Sequence, residues 1–491
     1  MVSMTTPPLP GAECPACAAR DAVIAEQAAA IAELAAKVER LERLVSRNSG
    51  NSSFPPSMDA QPGRTRPKPK RRRADGSRGP GKQPGAPGAF LSWSGAPDER
   101  VPCFPQGRCG CGASLAGGRD VGVVASHQQV EIPLVCARVI QHDRHAVACG
   151  CGQVHLAPPP VGASSPGTVT YGPNLQAWCV YLMAAHAVPV HRCAELVASL
   201  TGAAPSPGFV HGLLARAAAA VRPVNMLIRA LVIAAPVVCC DETPVRAGPG
   251  PGWHKRWLLV AATPLLTYYT LAPDRSVASF ARFVLPDAAG VVVHDRYLGY
   301  DHPTAGIGTH QLCCAHLLRD IEDAAQTYPG APWPAQLTTA LTGLIHAANQ
   351  ARGHGLPAVP GRAAAPLITA YRDAITAGLA DLATRPGGTR RHQRHHRQRL
   401  LEDLRDREHD VLRFTTDTRI PPTSNQAERD LRPAKTQEKI SGRLRSAGTT
   451  SHRYAIRGYL STATKHHTDA LTALRDALTG NPWMPPIPST L

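Results

Sequence analysis

The stretches Ala235-Pro-Val-Val-Cys-Cys-Asp-Glu-Thr243 and Gly290-Val-Val-Val-His-Asp-Arg-Tyr297 decide the fold. Each is a short apolar run that ends in an aspartate, Asp241 in the first and Asp295 in the second. Short runs of this kind, bounded by glycine or proline, predict β-strands. We therefore expect two strands with an acidic side chain at the end of each.

The segments around these two runs complete a strand pattern. The pattern predicts three strands, a helix, a fourth strand, a fifth strand and a helix from His316 onward. In an RNase H-like core with this order, the first and fourth strands are central neighbours, so Asp241 and Asp295 would converge. The predicted elements are strands Pro236–Cys240, Arg256–Ala262, Leu265–Leu271, Gly290–His294 and Gln311–Ala315, and a helix at Ser276–Phe283.

A third acidic residue, Glu428, lies in Ser424-Asn-Gln-Ala-Glu-Arg-Asp-Leu-Arg432, which predicts the first turns of a helix. A helix packed against the same sheet edge would bring Glu428 to the two aspartates. Three carboxylates suit a site that holds two divalent cations and cuts phosphodiester bonds, because Mg²⁺ binds hard oxygen ligands and keeps positions open for water and phosphate. Glu242 ranks second, since it would point to the opposite sheet face. Further competitors are Asp274, Asp301, Asp320 and Asp430.

The charge balance indicates a polyanionic partner. The 491 residues carry 53 Lys+Arg against 36 Asp+Glu, a formal net charge of +17. Such a chain is expected to bind DNA rather than membrane. No stretch approaches about 18 uncharged apolar residues, so no transmembrane helix is expected. The N-terminus lacks a secretory signal pattern, which predicts a cytoplasmic protein whose 14 cysteines are thiols or metal ligands rather than disulfides.

The N-terminal segment has a heptad pattern. Ile24, Ile31, Val38 and Val45 recur every seven residues, and Leu34 and Leu41 take the second core position. β-Branched residues at the first position with leucine at the second favour a parallel two-stranded coiled coil. We expect residues 18–48 to form a homo-oligomerisation helix, the alternative being a helix packed on its own domain.

Two basic runs are candidates for DNA contact. The first lies in a Pro/Gly-rich arm, residues 49–98, whose charge density and lack of apolar residues predict disorder and salt-dependent phosphate binding. The second lies within a helical insertion at about residues 330–412, where a histidine cluster could also bind metal, although a solvated basic face is favoured. The candidate DNA-binding residues are Arg64, Arg66, Lys68, Lys70, Arg71, Arg72, Arg73, Arg391, Arg394 and Arg397.

Residues 99–160 contain two glycine-flanked cysteine pairs. Cys109-Gly-Cys111-Gly is matched by Cys149-Gly-Cys151-Gly after predicted strands at Val130–Pro133 and Cys136–Gln141. Four thiolates at the tips of short hairpins predict a closed, structural zinc site. The one-residue spacing is less usual than two, and Cys103 or His155 could replace one ligand. Four thiols without metal are the alternative.

A helical segment, residues 165–232, precedes the strands. Helices at Val190–Leu200 and Pro207–Ala220 are separated by a short connection, an arrangement that resembles a helix-turn-helix. An ordinary helical hairpin fits the pattern equally well. The core itself is expected to span residues 233–470, followed by a C-terminal tail at residues 471–491.

Several motifs in order resemble transposases of the insertion sequence 66 family, which have a DDE-type catalytic core. After a leucine-rich helix comes Arg47-Asn-Ser-Gly-Asn-Ser-Ser-Phe-Pro-Pro-Ser57, and Gly81-Lys-Gln-Pro-Gly-Ala-Pro-Gly88 follows. The cysteine module comes next and also matches. The remaining matches are Asp241-Glu-Thr243, His294-Asp-Arg-Tyr297, Cys314-Ala-His-Leu-Leu-Arg319 and Asn425-Gln-Ala-Glu-Arg-Asp-Leu-Arg-Pro433.

The resemblance implies an activity and partners. It places the DDE triad on Asp241, Asp295 and Glu428, and implies dependence on Mg²⁺ or Mn²⁺, cleavage at terminal inverted repeats and strand transfer into target DNA. Small accessory proteins of the same element are further expected partners. The protein is then bacterial and associated with the nucleoid. The supporting residues that the resemblance implies are His316 and Arg319 near the scissile phosphate, Asn425 as a helix cap and Arg429 as a DNA contact.

Two other functions remain open from the sequence. One is a catalytically inactive DNA-binding protein that keeps the zinc module and the basic arm. The other is a two-metal nuclease that cuts without joining, which would share the triad but would not need a dimerising N-terminus.

Overall fold

The structure is a computed structural model that describes residues 20, 23–31, 33–35, 37–38, 91–158, 169–248, 255–328, 330–384 and 391–487, and the backbone alone at 391–396. The chain divides into two compact units, residues 69–137 and residues 1–68 with 138–491. The predicted zinc module therefore spans a unit boundary.

A five-stranded mixed sheet forms the centre of the larger unit. Its strands are β3 (Val237–Arg246), β4 (Lys255–Ala262), β5 (Thr267–Ala272), β6 (Val291–His294) and β7 (His310–Leu312). The first three are antiparallel and the last two run parallel to β3, in the order β5-β4-β3-β6-β7. β3 and β6 are neighbours, as the sequence predicted for the first and fourth strands of this sheet. A separate hairpin consists of β1 (Ala146–Ala148) and β2 (Val154–Leu156).

Strand β3 is longer than the sequence suggested. The apolar run predicted an end at Cys240, but β3 continues to Arg246, which pairs with Lys255 of β4. The parallel pairing with β6, in contrast, covers only Val237 to Cys239. Asp241 therefore lies within a strand, at the point where β3 loses its neighbour on one side.

Gly290 allows β6 to approach β3 closely. A Cβ atom at this position would lie 2.2 Å from the backbone oxygen of Pro236, closer than any side chain permits. The same oxygen accepts a hydrogen bond from Val291 N at 2.9 Å. Glycine immediately before the run is thus required for the register that aligns the two aspartates.

Helices cover both faces of the sheet. Alternation along β3 divides the core, since Cys239 packs with one apolar cluster and Val238 and Cys240 pack with the other. The first cluster is built with α7 (Cys314–Thr327), α8 (Trp333–Gly353), α9 (Gly361–Thr384), α10 (Arg391–Asp406), α11 (Glu408–Leu412) and α12 (Asn425–Ser441). The second is built with α1 (Pro173–Ala184), α2 (Val190–Thr201), α3 (Pro207–Ala220), α4 (Arg222–Ile233), α5 (Val277–Ala281), α6 (Leu298–Asp301), α13 (Ala447–Lys465) and α14 (Ala470–Leu478).

The chain ends of this unit differ from the predicted boundaries. The segment predicted as a tail contains α14, whose Ala473, Leu474 and Ala477 are buried in the second cluster. The helical segment α1–α4 contributes to the same cluster, so it packs into the core. Helix α3 buries Val210, Leu213 and Leu214 and leaves His211 and Arg216 exposed. The insertion between β7 and α12 is helical, as predicted.

The two strands predicted between the cysteine pairs are not formed. Residues 130–133 and 136–141 are not strands, and Val130, Ile132 and Val139 are exposed. Apolar alternation alone does not make a strand when no partner strand satisfies the backbone hydrogen bonds. Short 3₁₀ helices occur at Leu115–Gly117, Leu285–Asp287, Pro303–Ala305 and Arg413–Thr415.

The N-terminal segment is helical at every described position between residues 20 and 38. Ile24, Ile31, Leu34 and Val38 are all more than half exposed, at 54%, 68%, 60% and 53%. The predicted seam residues Leu41 and Val45 lie outside the described residues.

Candidate active site

Asp241 and Asp295 extend from paired positions of the two central strands. Cys239 of β3 pairs with Val293 of β6, and each aspartate lies two residues further along its strand direction. The Oδ1 atom of Asp295 accepts a hydrogen bond from Tyr297 N at 2.9 Å, which fixes the carboxylate as β6 ends. The parallel register thus sets the two acids side by side at one sheet edge.

Glu428 reaches this edge from helix α12. Its Oε1 atom lies 3.9 Å from Nε2 of His316 and 3.4 Å from Nη2 of Arg319, both on α7. His316 is also a charge neighbour of Asp241 and Asp295. The structure therefore brings together the three predicted carboxylates and both predicted supporting residues of α7, with His316 between them.

The acids of this edge repel one another. Burial, and next the charge of Glu242, raise the pKa of Asp241 well above its ordinary value. Burial and the charge of Asp295 raise the pKa of Glu242 to about 7, although Arg275 and Tyr300 oppose this shift. Carboxylates that resist ionisation in this way are often found at functional sites.

A buried cysteine joins the two helices that carry the site. The Sγ atom of Cys313, the residue before α7, accepts a hydrogen bond at 3.2 Å from the backbone N–H of Ser424, the residue before α12. Burial raises the pKa of Cys313, but His316 and Ser424 outweigh it and lower the pKa to about 7. Burial lowers the pKa of His316, but Cys313 and the carboxylates of Asp295 and Asp241 raise it to about 10. The raised pKa favours the protonated form of His316 at neutral pH.

Arg275 is a second residue that the sequence did not single out. Its Nε atom donates to Glu242 Oε1 at 2.6 Å, and its Nη2 lies 3.5 Å from Asp295 Oδ2. The guanidinium stacks on the ring of Tyr297, 3.4 Å from the centroid. Because Glu242 lies on the other face of β3, Arg275 connects the two faces. No local sequence pattern marks this position.

Lys435 is a third such residue. Burial lowers its pKa, while Glu438 and Asp241 act in the opposite direction, so the ammonium group lies within electrostatic range of Asp241. Lys435 follows Glu428 by two helical turns on α12. That spacing places both residues on one helix face and is a signal that the sequence does contain.

Four of the competing acids, Asp274, Asp301, Asp320 and Asp430, are bound to partners outside the group around His316. Lys465 lies 2.9 Å from Asp430, and Arg407 lies 2.8 Å from Asp301. Arg296 lies 3.5 Å from Asp320. Asp274 accepts hydrogen bonds from the hydroxyls of Ser276 and Ser279 at the start of α5, which lower its pKa to about 2.

Comparison with known proteins identifies the family. The model of the transposase IS66 family matches residues 168–451, more than half of the chain. The chain belongs to this family. A family of unknown function, DUF6444, matches residues 12–91. No curated protein matches the chain.

Membership in the IS66 transposase family gives this protein a role in DNA transposition and DNA as a partner. The match covers the whole five-stranded sheet, α7 and α12, and with them all three predicted carboxylates. None of the helices among the described residues of this transposase combines the length and the apolar character that a bilayer requires.

Arg397, a predicted DNA contact of the transposase, and Asn425, a predicted helix cap, have different surroundings from those expected. Arg397 is 3% exposed and forms an ion pair with Asp323 and a hydrogen bond with Thr327, both of α7. It therefore packs α10 on α7 and does not face solvent. Asn425 is the first residue of α12, and Ser424 takes the N-cap position without a side-chain cap bond.

Of the other predicted DNA contacts, the structure describes the side chain of Arg429. Arg429 is exposed, and it donates to Gln426 Oε1 at 3.0 Å. Residues 64–73 of the basic arm and the side chains of Arg391 and Arg394 lie outside what the structure describes.

The two cysteine pairs of the transposase adopt the same turn. Cys109 N donates to Ala113 O at 2.9 Å and Gly112 N to Cys109 O at 2.8 Å, while Cys149 N donates to Gln153 O at 2.7 Å and Gly152 N to Cys149 O at 2.8 Å. Gly112 and Gly152 have φ values of +89° and +87°, which favour glycine. In each turn, a hydrogen bond with the backbone of the second cysteine is the largest cause that lowers the pKa of the first cysteine. A hydrogen bond with the side chain of the second cysteine is the next largest cause.

Proposed function

We propose that this transposase cuts DNA at the ends of an insertion sequence and joins those ends to target DNA by two-metal phosphoryl transfer. Asp241, Asp295 and Glu428 are the proposed carboxylate ligands. The observation that carries this proposal is the meeting of three acids from three separate segments around His316. The strand order β5-β4-β3-β6-β7 supports an RNase H-like core for this chemistry.

The residues fit divalent cations of the Mg²⁺ or Mn²⁺ type. The donors are carboxylate oxygens, the ligand type that these cations prefer. The side chains of Asp295 and Glu428 are 20% and 24% exposed, so both are accessible from solvent. Burial, and next the charge of Glu242, raise the pKa of Asp241, and a bound cation would favour its ionised form. When bound, such cations activate a water or a DNA 3′-hydroxyl and stabilise the leaving oxygen.

The cationic side chains of the site prepare it for a phosphate. Arg319 and His316 lie beside Glu428, and Lys435 lies near Asp241. Their positive charges offset the phosphate charge as DNA approaches the carboxylates. Arg275 holds Asp295 through its ion pair, and Tyr297 N holds the other oxygen of the same carboxylate.

Two further regions support a complete transposition reaction. The exposed seam of Ile24, Ile31, Leu34 and Val38 fits pairing with a second copy of this chain, and an oligomer would hold two element ends together. The turns at Cys109–Cys111 and Cys149–Cys151 each present two thiols, and the pKa is lowered at Cys109 and at Cys149, which suits the thiolate ligands of the structural Zn²⁺ that the cysteine pattern predicts.

The proposal is tested with Mg²⁺, element-end DNA and a target plasmid. Wild type is compared with Asp295→Ala and with a control, Asp373→Ala, which changes an exposed aspartate of α9. We expect end-specific cleavage and joining by wild type and the control, and loss of both in Asp295→Ala.

Other outcomes would redirect the assignment. Equal activity in Asp295→Ala and wild type would refute the triad. Cutting of any DNA without joining would indicate a nuclease. End binding without cleavage, in the presence of the element's accessory proteins, would indicate a DNA-binding protein.

A further inference from the structure

Three side chains outside the carboxylate site form a compact group of nitrogen and oxygen ligands. They are His294 at the end of β6, Asp301 at the end of α6 and His310 at the start of β7. One ligand atom from each lies within 4.8 Å of the other two. His294 is buried, His310 is half-buried and Asp301 is exposed, so the group extends from the core to solvent.

The hydrogen bonds of His294 determine which nitrogen faces the group. Its Nδ1 lies 2.5 Å from the backbone oxygen of Asp295, which can only accept, so Nδ1 carries the proton. The lone pair of Nε2 is therefore directed at Nδ1 of His310, at 2.9 Å. A carbonyl that fixes one imidazole nitrogen while the other is presented outward is the usual support for a metal-binding histidine.

The other two residues are supported in a similar way. Arg407 Nη1 donates to Oδ1 of Asp301 at 2.8 Å, which leaves Oδ2 for a further partner. Arg407 Nε also forms an ion pair with Oδ2 of Asp410 at 3.1 Å. Arg413 Nε donates to the backbone oxygen of His310 at 2.7 Å and thereby fixes the start of β7.

We propose that His294 Nε2, His310 Nδ1 and a carboxylate oxygen of Asp301 bind a transition-metal cation, with Zn²⁺ as the best fit. Two imidazoles and one carboxylate suit zinc, whereas Mg²⁺ prefers oxygen ligands alone. Tetrahedral zinc with bonds of about 2.0 Å requires the two nitrogens to lie about 3.3 Å apart, slightly further than they are. Half-buried His310 can supply this movement, and its proton moves from Nδ1 to Nε2 or to solvent.

Such a cation would join three elements next to the carboxylate site. Asp295 directly follows His294, so a metal that fixes His294 also fixes the end of β6. Through Asp301 and His310 the same cation would hold α6 and β7. Its role is therefore structural, and it requires neither the triad nor the zinc of the cysteine turns.

The test measures zinc bound per full-length chain after equilibrium dialysis, and the rise in Tm that Zn²⁺ causes. The variants are His310→Asn and Asp301→Asn, and the control is His346→Asn, which changes an exposed histidine of α8. All variants retain the cysteine pairs, which therefore contribute equally. We expect both site variants to bind one equivalent less than wild type, or to bind that equivalent at least about tenfold more weakly, and to lose part of the Tm rise. The control should match wild type.

Two results would overturn the site. One is equal zinc content and equal Tm rise in wild type and both variants. The other is loss of zinc in His310→Asn alone, with a circular dichroism spectrum showing that it is unfolded, while folded Asp301→Asn keeps the full zinc content. Cobalt(II) gives an independent readout, because loss of this site changes its visible spectrum without changing the thiolate-to-cobalt absorption of the cysteine turns.

Discussion

Helix α12 carries two acids, two residues apart, that lie in opposite kinds of surroundings. Asp430 is 10% exposed in its side chain and lies 2.9 Å from Lys465 Nζ, while Thr267 Oγ1 donates to it at 3.0 Å. Glu428 is 24% exposed and shares one cationic neighbour, His316, with Asp241 and Asp295. Asp430 has its own ammonium partner within the fold, whereas Glu428 lies in a cluster in which several carboxylates share the cation of His316.

The two clusters differ in the partners that neutralise their carboxylates. The ammonium of Lys465 also donates to the backbone oxygens of Thr263 and Leu266, so its hydrogen bonds connect α13 to the turn before β5. A cluster of this kind stabilises the packing of α12 on β5 and α13. Glu428 and Asp295, in contrast, keep 24% and 20% of their side chains exposed, so their oxygens are accessible to a cation that arrives from solvent or with DNA.

Glu428→Gln should produce the largest effect. Loss of one carboxylate from the site should reduce end cleavage by more than about a thousandfold, because Glu428 is a proposed ligand of the cations that act on the transferring phosphate. The free energy of unfolding should stay within about 0.5 kcal/mol of wild type. Cleavage assays and urea unfolding on the same preparation check both parts. Activity within tenfold of wild type would remove Glu428 from the triad.

Asp430→Asn should produce the reverse pattern. The change leaves the ammonium of Lys465 buried without a carboxylate and should destabilise the fold by about 3 kcal/mol. Cleavage at low temperature should remain within about tenfold of wild type, since Asp430 lies outside the carboxylate site. A double variant with Lys465→Met should recover part of the stability. An unchanged urea midpoint in Asp430→Asn would show that the two clusters do not differ as described.

A pH series should separate the clusters further. The folded-state pKa of Glu242 is raised to about 7 by burial and Asp295, and that of Asp241 is raised by burial and Glu242. A raised pKa means that stability is fully present below the unfolded value and is lost as pH rises through the folded value. Without divalent cations, wild type should lose on the order of 2 kcal/mol between pH 5 and about pH 8.

Asp241→Asn is the matched variant for this series, because it removes one of the repelling charges. Urea midpoints in the presence of EDTA should fall less with rising pH in Asp241→Asn than in wild type. Parallel profiles for the two proteins would contradict the proposed charge repulsion.

Asn425→Ala should have the smallest effect. The side chain is exposed at the first position of α12, and Ser424 occupies the N-cap. We expect a change below about 0.5 kcal/mol in the free energy of unfolding. Replacement of a true N-cap residue typically costs about 1 kcal/mol, so urea unfolding distinguishes the two positions.

The central sheet and the meeting of the carboxylates were predictable from short-range patterns. Valine runs with glycine or proline in front predicted β3 and β6, and the helical pattern around Glu428 predicted α12. These signals are local, and the strand order of an α/β sheet has few alternatives once the elements are known. The cysteine turns were predictable for the same reason, since glycine marks both tips.

The predictions that failed concern partners distant in sequence. Arg397 belongs to a basic run, yet it is buried because Asp323 faces it from α7. In the part of the chain that the structure describes, no strand pairs with residues 136–141, which were expected to form one, and the expected tail contains a helix that packs on α1. Burial and charge pairing across the chain decided each of these outcomes.

The sequence by itself determined where strands, helices and acidic side chains lie along the chain, because backbone propensity and apolar period are local properties. Only the tertiary structure decided that Arg275 and Cys313 lie beside the carboxylate site, and that His294, Asp301 and His310 form a second group. Contacts of this kind depend on packing between elements far apart in sequence, and no local pattern encodes the distance between two side chains.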